Sequence, residues 1–155
     1  MWKEIITEKD MKEVALLRSN WGCEVNPDIL SIKSAIEKKL DCHYYHYKSD
    51  KIELVKGFKL MPDHIFILAY TIKADIKDYP KALRLMAEKS KWYLKDRKIK
   101  KLVIGFGKAD ITEIHFYNKG IEKLGLNETV ALAKPIYEEL GFKFTYTDRR
   151  IIVEL

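Results

Sequence analysis

Two segments, His64–Ile72 and Leu102–Phe106, are apolar on both faces, and a helix-length stretch separates them. A strand without a polar face has to lie inside a sheet that is covered on both sides. Strand, helix and second buried strand read together as a right-handed βαβ crossover with parallel strands. Ligands in such sheets bind beyond the carboxyl ends of neighbouring parallel strands. Here that place is the loop from Ile72 to Lys81, opposite the strand end at Phe106.

The remaining segments arrange themselves around this unit. Ile5 and Ile6 form a short strand-like opening, and Thr7 to Asp10 has the spacing of a capping box. Met11, Val14, Ala15 and Leu17 make a helical stripe that stops at Gly22. Asn26 and Pro27 start a second helix, in which Ile29, Ile32, Ile36 and Leu40 recur at helical spacing, predicting Pro27–Leu40. The period then becomes two over Cys42–Tyr47 and Lys51–Phe58, with Lys48-Ser49-Asp50 as the turn. Asp78 offers an N-cap before Tyr79-Pro80 and a basic helix over 80–96. Asp110 to Glu113 resembles another capping box, and Ile111, Ile114, Tyr117, Ile121 and Leu124 predict a helix as far as Gly125. Asn127 opens a last helix that ends at Leu140-Gly141, with Pro135 expected to kink it by leaving the Ala131 carbonyl unpaired. Phe142–Tyr146 and Ile151–Leu155 close the chain as a hairpin. The expected fold is α/β (α+β): a mixed, mostly antiparallel sheet with one central parallel β-α-β crossover and helices on both faces. Residues 1–155 are expected to form a single domain.

At 155 residues with 47% hydrophobic side chains, the chain can build one full core, so a disordered chain is not expected. Its longest apolar run, Ile65–Tyr70, is too short to cross a membrane. Met1 to Glu4 lacks the apolar start of a signal peptide, and Cys23 and Cys42 make no disulfide framework, so the cytoplasm is the expected location. The 29 basic residues outnumber the 23 acids, giving +6. Pro80 to Lys101 holds nine basic residues against two acids, a local charge of +7. Such a helix suits a nucleic acid, a nucleotide or a phosphorylated cofactor. Trp92 and Tyr93, interleaved with the lysines, make nucleic acid a partner to consider through residues 80–101. The plainer reading is a solvated basic face whose other side, Leu83, Met86, Ala87 and Leu94, is buried.

Two stretches carry a resemblance to a known family. Lys77, Pro80 and Ala82 stand at the Arg/Gln, first Gly and Gly/Ala positions of a pattern Arg/Gln-x-x-Gly-x-Gly/Ala that follows a central strand. Ala133-Lys-Pro-Ile-Tyr137-Glu-Glu-Leu-Gly-Phe142 is similar to Ala-x-x-x-Tyr-Glu-x-Leu-Gly-Phe. With the order β-α-α-β-β-β-α-β-(α)-α-β-β, the chain resembles a divergent member of the GNAT N-acetyltransferase superfamily. Pro80 departs from the pattern by removing an N–H donor, and Val130 stands where the family favours Asn. The resemblance implies acetyl-CoA (coenzyme A) as co-substrate, held between strands 64–72 and 102–106 by Tyr70, Thr71, Ile72, Lys77, Asp78, Tyr79, Lys81 and Ala82. It implies direct transfer to an amine of a small molecule or a protein, with main-chain N–H near Ile72 meeting the oxyanion. On the resemblance Tyr137 would be the general acid; Glu53, on the strand beside the central one, and His64, at the start of the central strand, are candidate bases by their own placement.

Each of these residues has a plainer reading. Without the resemblance, Tyr137 reads as a core residue of an amphipathic helix. Glu53 reads as an exposed strand glutamate and His64 as a capping or a solvent-exposed histidine. Cys42, His43 and His46 suggest a metal, but alternation puts His43 and His46 on opposite faces, so no metal site is expected. Gly105-Phe-Gly107 looks like a turn, not a dinucleotide fingerprint. The alternative function is therefore a catalytically degenerate GNAT-like fold acting as a basic binding module for nucleic acid. A homodimer through the end hairpin or the 111–124 segment is left open.

Overall fold

The computed structural model describes residues 1–13, 41–105, 114–117, 121–124 and 126–155. The helix expected over Pro27–Leu40 lies outside them, as do Cys23, Phe106, Gly107 and Asp110. In chain order the elements are β1 (Trp2–Glu4), β2 (Cys42–Lys48), β3 (Glu53–Leu60), β4 (Ile65–Lys73), a 3-10 turn (Ile76–Asp78) and α1 (Tyr79–Arg97). They continue with β5 (Lys101–Gly105), β6 (Ile114–Tyr117), β7 (Ile121–Leu124), α2 (Leu126–Glu139), β8 (Lys143–Tyr146) and β9 (Arg150–Glu154). One open sheet runs β1-β2-β3-β4-β5-β9-β8, with β6 attached to β4 and β7 to β6. It is mostly antiparallel; β4 pairs in parallel with β5 and with β6. The class is thus a mixed α+β fold with a β4-α1-β5 crossover.

The crossover helix forms for the reason its spacing suggests. Ala82, Leu83, Met86, Ala87, Ser90, Tyr93 and Leu94 fall at helical intervals, and all are 0–1% exposed. They cover one sheet face, where Leu54, Phe58, Ile65, Ile67 and Ile72 are fully buried. Tyr93 stacks on Phe58 with ring centroids 4.1 Å apart. α2 packs against α1, so both described long helices lie together. Lys91 Nζ ties them by donating to the Leu140 carbonyl at 2.6 Å.

α2 ends as its sequence predicts. Gly141 adopts φ +92°, and the Phe142 N–H returns to the Tyr137 carbonyl at 3.0 Å. Pro135 is accommodated inside the helix because it lies on the exposed side with Ala131, where water can reach the carbonyl it leaves behind. The capping box at Thr7 also forms: Asp10 N–H donates to Thr7 Oγ1 at 3.1 Å, and Thr7 N–H to Asp10 Oδ2 at 3.2 Å. The Lys3 ammonium, 2.7 Å from Asp10 Oδ1, and these N–H donors hold the Asp10 carboxyl well below its ordinary range. A depressed carboxyl stabilises the fold above its ordinary pKa and loses that contribution as pH falls towards the depressed value. Thermal midpoints measured from pH 7 to pH 3 should therefore fall less steeply in Asp10→Asn than in the wild-type chain.

One expected element is different. Residues 114–117 and 121–124 are not helical; they form the β6–β7 hairpin, paired Ile114↔Leu124 through Tyr117↔Ile121. Ile-His-Phe-Tyr is rich in strand-forming side chains, and Gly120 falls between the two strands. The deciding factor is tertiary. β4 beyond Phe66 no longer pairs with β5, and its backbone groups need another partner.

Candidate functional site

The strand that organises the site is β4. Gly57 pairs with Ala69 and Phe58 with Ile67, so Leu68 is an extra residue on β4, a β-bulge. A bulge bends its strand and increases the local twist. β4 accordingly pairs with β5 only at Ile65↔Leu102 and Phe66↔Val103, while β5 continues along β9 to Gly105. The two parallel strands part beyond Phe66, before β4 reaches the Ile72–Lys81 loop where a ligand is expected.

That opening is not empty. β6 lies along β4 at Tyr70↔Ile114, Thr71↔His115, Ile72↔Phe116 and Lys73↔Tyr117. On the other side Tyr70, Thr71 and Ile72 pair with Lys56, Val55 and Leu54 of β3. The expected slot beside Tyr70, Thr71 and Ile72 is thus filled by the hairpin. An extended ligand arm, or an oxyanion seeking main-chain N–H here, meets a strand edge already in use.

The start of α1 departs from expectation in a second way. Asp78 occupies the N-cap position but makes no side-chain cap bond. The 3-10 turn uses the Asp78 and Tyr79 N–H groups, which donate to Asp75 and Ile76 carbonyls, and Pro80 has no N–H. Ala82 N–H falls within the first helical bond, which leaves the Lys81 N–H as the donor free of the helix ladder. Tyr79 and Ala82 side chains are buried in the core, whereas Lys77 and Lys81 are exposed beside the tip. A diphosphate here would be held by two ammonium groups more than by a backbone cradle.

Glu53 is not the exposed strand residue its plainer reading suggests. It is 7% exposed, and its Oε2 lies 3.5 Å from Nε2 of His46, itself 8% exposed. Glu53 sits across from Lys73, at the same end of the sheet as the α1 tip. In the sequence His46 reads as a candidate metal ligand or as one of several rings in β2, not as a partner of Glu53. Its link to Glu53 depends on the β2–β3 register, in which His46 opposes Val55 and Lys48 opposes Glu53. His43, on the other face, bonds through Nδ1 to Tyr93 Oη at 2.5 Å. Burial, reinforced by the Arg97 charge, lowers the His43 pKa.

His64 is not part of this constellation. It precedes β4 and pairs with Asp63 at 2.7 Å. Eight residues of strand, about 26 Å, separate it from Ile72. Tyr137 is fully buried, its ring 5.3 Å from Phe142 and 5.9 Å from Phe144.

Four of the nine basic residues over Pro80–Lys101 are committed within the fold. Arg84 pairs with Glu139, Lys91 caps α2, Lys89 lies among aromatic rings, and Arg97 sits 3.8 Å over the Tyr93 ring. Lys81, Lys95, Lys98 and Lys100 remain exposed. Among the described residues no helix is long and apolar enough to cross a membrane. Compared with protein-family models, curated proteins and solved structures, the chain matches none of them.

Proposed function

We propose that this chain is a GNAT-type N-acyltransferase that draws on acetyl-CoA and acylates an amine of a small molecule or protein. The observation that carries this reading is the Leu68 bulge, where β4 leaves β5 one strand away from a buried carboxylate. Lys77 and Lys81 would hold the cofactor's phosphates, and its thioester supplies the acyl group. The pantetheine arm does not fit beside Tyr70–Ile72 while β6 is paired there, so the β6–β7 hairpin has to leave that edge. Glu53 Oε2, oriented by His46, would take the proton that the acceptor amine loses. Tyr137 is the proton donor the resemblance implies.

The experiment is a thermal and hydrogen-exchange titration with acetyl-CoA. The expected result is stabilisation of about 3 kcal/mol at a hundredfold excess over Kd, with faster exchange at 114–117. No stabilisation at millimolar ligand, together with no acetylation of an amine panel, overturns the reading.

The second reading is a degenerate GNAT-like fold that binds nucleic acid. The filled strand edge and the spent N–H groups at α1 favour it; the internal use of Arg84, Lys89, Lys91 and Arg97 weakens it. It predicts binding to single-stranded DNA or RNA that falls steeply with salt and that Lys95→Ala, Lys98→Ala and Lys100→Ala together weaken.

A further inference from the structure

Three rings from three elements converge on one ammonium group. Lys89 Nζ lies 3.7 Å from the ring centroid of Trp92, 4.1 Å from that of Tyr45 and 5.7 Å from that of Trp2. Trp92 follows Lys89 by three residues and so shares its side of α1. Tyr45 comes from β2, and Trp2 from β1, where it pairs with Tyr47. Tyr45 and Trp92 meet edge to face at 5.9 Å and 86°, which sets two walls at right angles, and Trp2 supplies a third.

The present occupant suits this enclosure poorly. A primary ammonium is a compact, strongly hydrated charge with three N–H donors. Among the described residues Lys89 meets ring faces in place of hydrogen-bond acceptors. Burial accordingly lowers its pKa, opposed by the Glu4 carboxylate and assisted by Arg97. A quaternary ammonium has no N–H to leave unsatisfied, and its methyl groups spread the charge against ring faces. Trp92 is 47% exposed, so the outer wall faces solvent, and Lys89 has a flexible stem on which to leave.

We propose that Trp2, Tyr45 and Trp92 form a binding site for a quaternary ammonium group, and that Lys89 is its internal competitor. The chemistry is that of a choline head or a trimethylated lysine. This site is independent of the transferase reading, because it lies on the β1–β2 side of α1 and uses none of the residues assigned there.

The test follows the Trp2 and Trp92 indole N–H signals by NMR during titration with tetramethylammonium chloride, with sodium chloride matched for ionic strength. Lys89→Ala is expected to bind tetramethylammonium about tenfold more tightly than wild type, because the competitor is gone. Lys89→Ala/Trp92→Ala is expected to lose binding, read at Trp2. Wild type taken to higher concentration should show the same shifts at both indoles, a readout that does not depend on how the variants fold. Choline and Nε-trimethyl-lysine, run as separate arms, distinguish the two sources, and saturable binding of either supports the site. Shifts no larger than those with sodium chloride in both wild type and Lys89→Ala overturn it, as does unchanged binding in the double variant.

Discussion

Replacing Tyr137 with alanine is expected to lower the unfolding free energy by about 3–5 kcal/mol, whereas Tyr137→Phe should cost about 1 kcal/mol. The ring is fully buried and packs on Phe142 and Phe144, so truncation leaves a cavity where α2 meets β8. Denaturant titrations of the two variants measure both values. A loss below about 1 kcal/mol in Tyr137→Ala would mean that the ring is not anchoring α2. Tyr137→Phe also separates packing from chemistry. It keeps the ring and removes the proton, so on the transferase reading it should slow acyl transfer by about a hundredfold with the fold intact.

Lys56→Met should make the protein more stable at neutral pH, by about 2 kcal/mol, on the reasoning that a buried ionisable group is often outdone by an apolar one. Lys56 is fully buried under α1, where its Nζ donates to the Met86 carbonyl at 3.3 Å, and burial holds its pKa well below the ordinary lysine value. The unfolded chain therefore binds a proton that the folded chain does not. Between the depressed folded pKa and the ordinary value, stability should rise with pH by about 1.4 kcal/mol per unit. Lys56→Met removes that slope. Urea unfolding at pH 7, 8 and 9 checks both parts; a wild-type stability that is flat or falls over this range contradicts a neutral buried amine.

Several features of the fold were readable because they are local. The capping box at Thr7 and Asp10 and the Gly141 terminus of α2 depend on residues within one turn of each other. The α1 stripe and the doubly apolar β4 and β5 follow from side-chain period alone. Residues 114–124 misled for a related reason. Their apolar spacing satisfies a helix, but the strand edge that claims Ile114–Tyr117 lies some forty residues earlier in the chain, beside a bulge with no sequence signature of its own.

The candidate site shows the same division. Lys77 and Lys81 could be placed near the end of β4 by counting, and they are there, exposed. The burial of Glu53 beside His46 could not, because the β2–β3 register decides which residues become diagonal neighbours. The basic helix was visible as charge, yet its lysines and arginines acquired roles only when Glu139, Leu140, Tyr45 and Tyr93 came within reach.

By itself, then, the sequence determined the β4-α1-β5 crossover, the Thr7 capping box and the Gly141 end of α2, all set by hydrophobic period and backbone chemistry at short range. Tertiary structure alone decided what occupies the edge of β4, which carboxylate is buried and which ammonium sits among aromatic rings. Those outcomes depend on strand register and on competition for backbone hydrogen bonds, and both are properties of segments distant in the chain that meet only once it has folded.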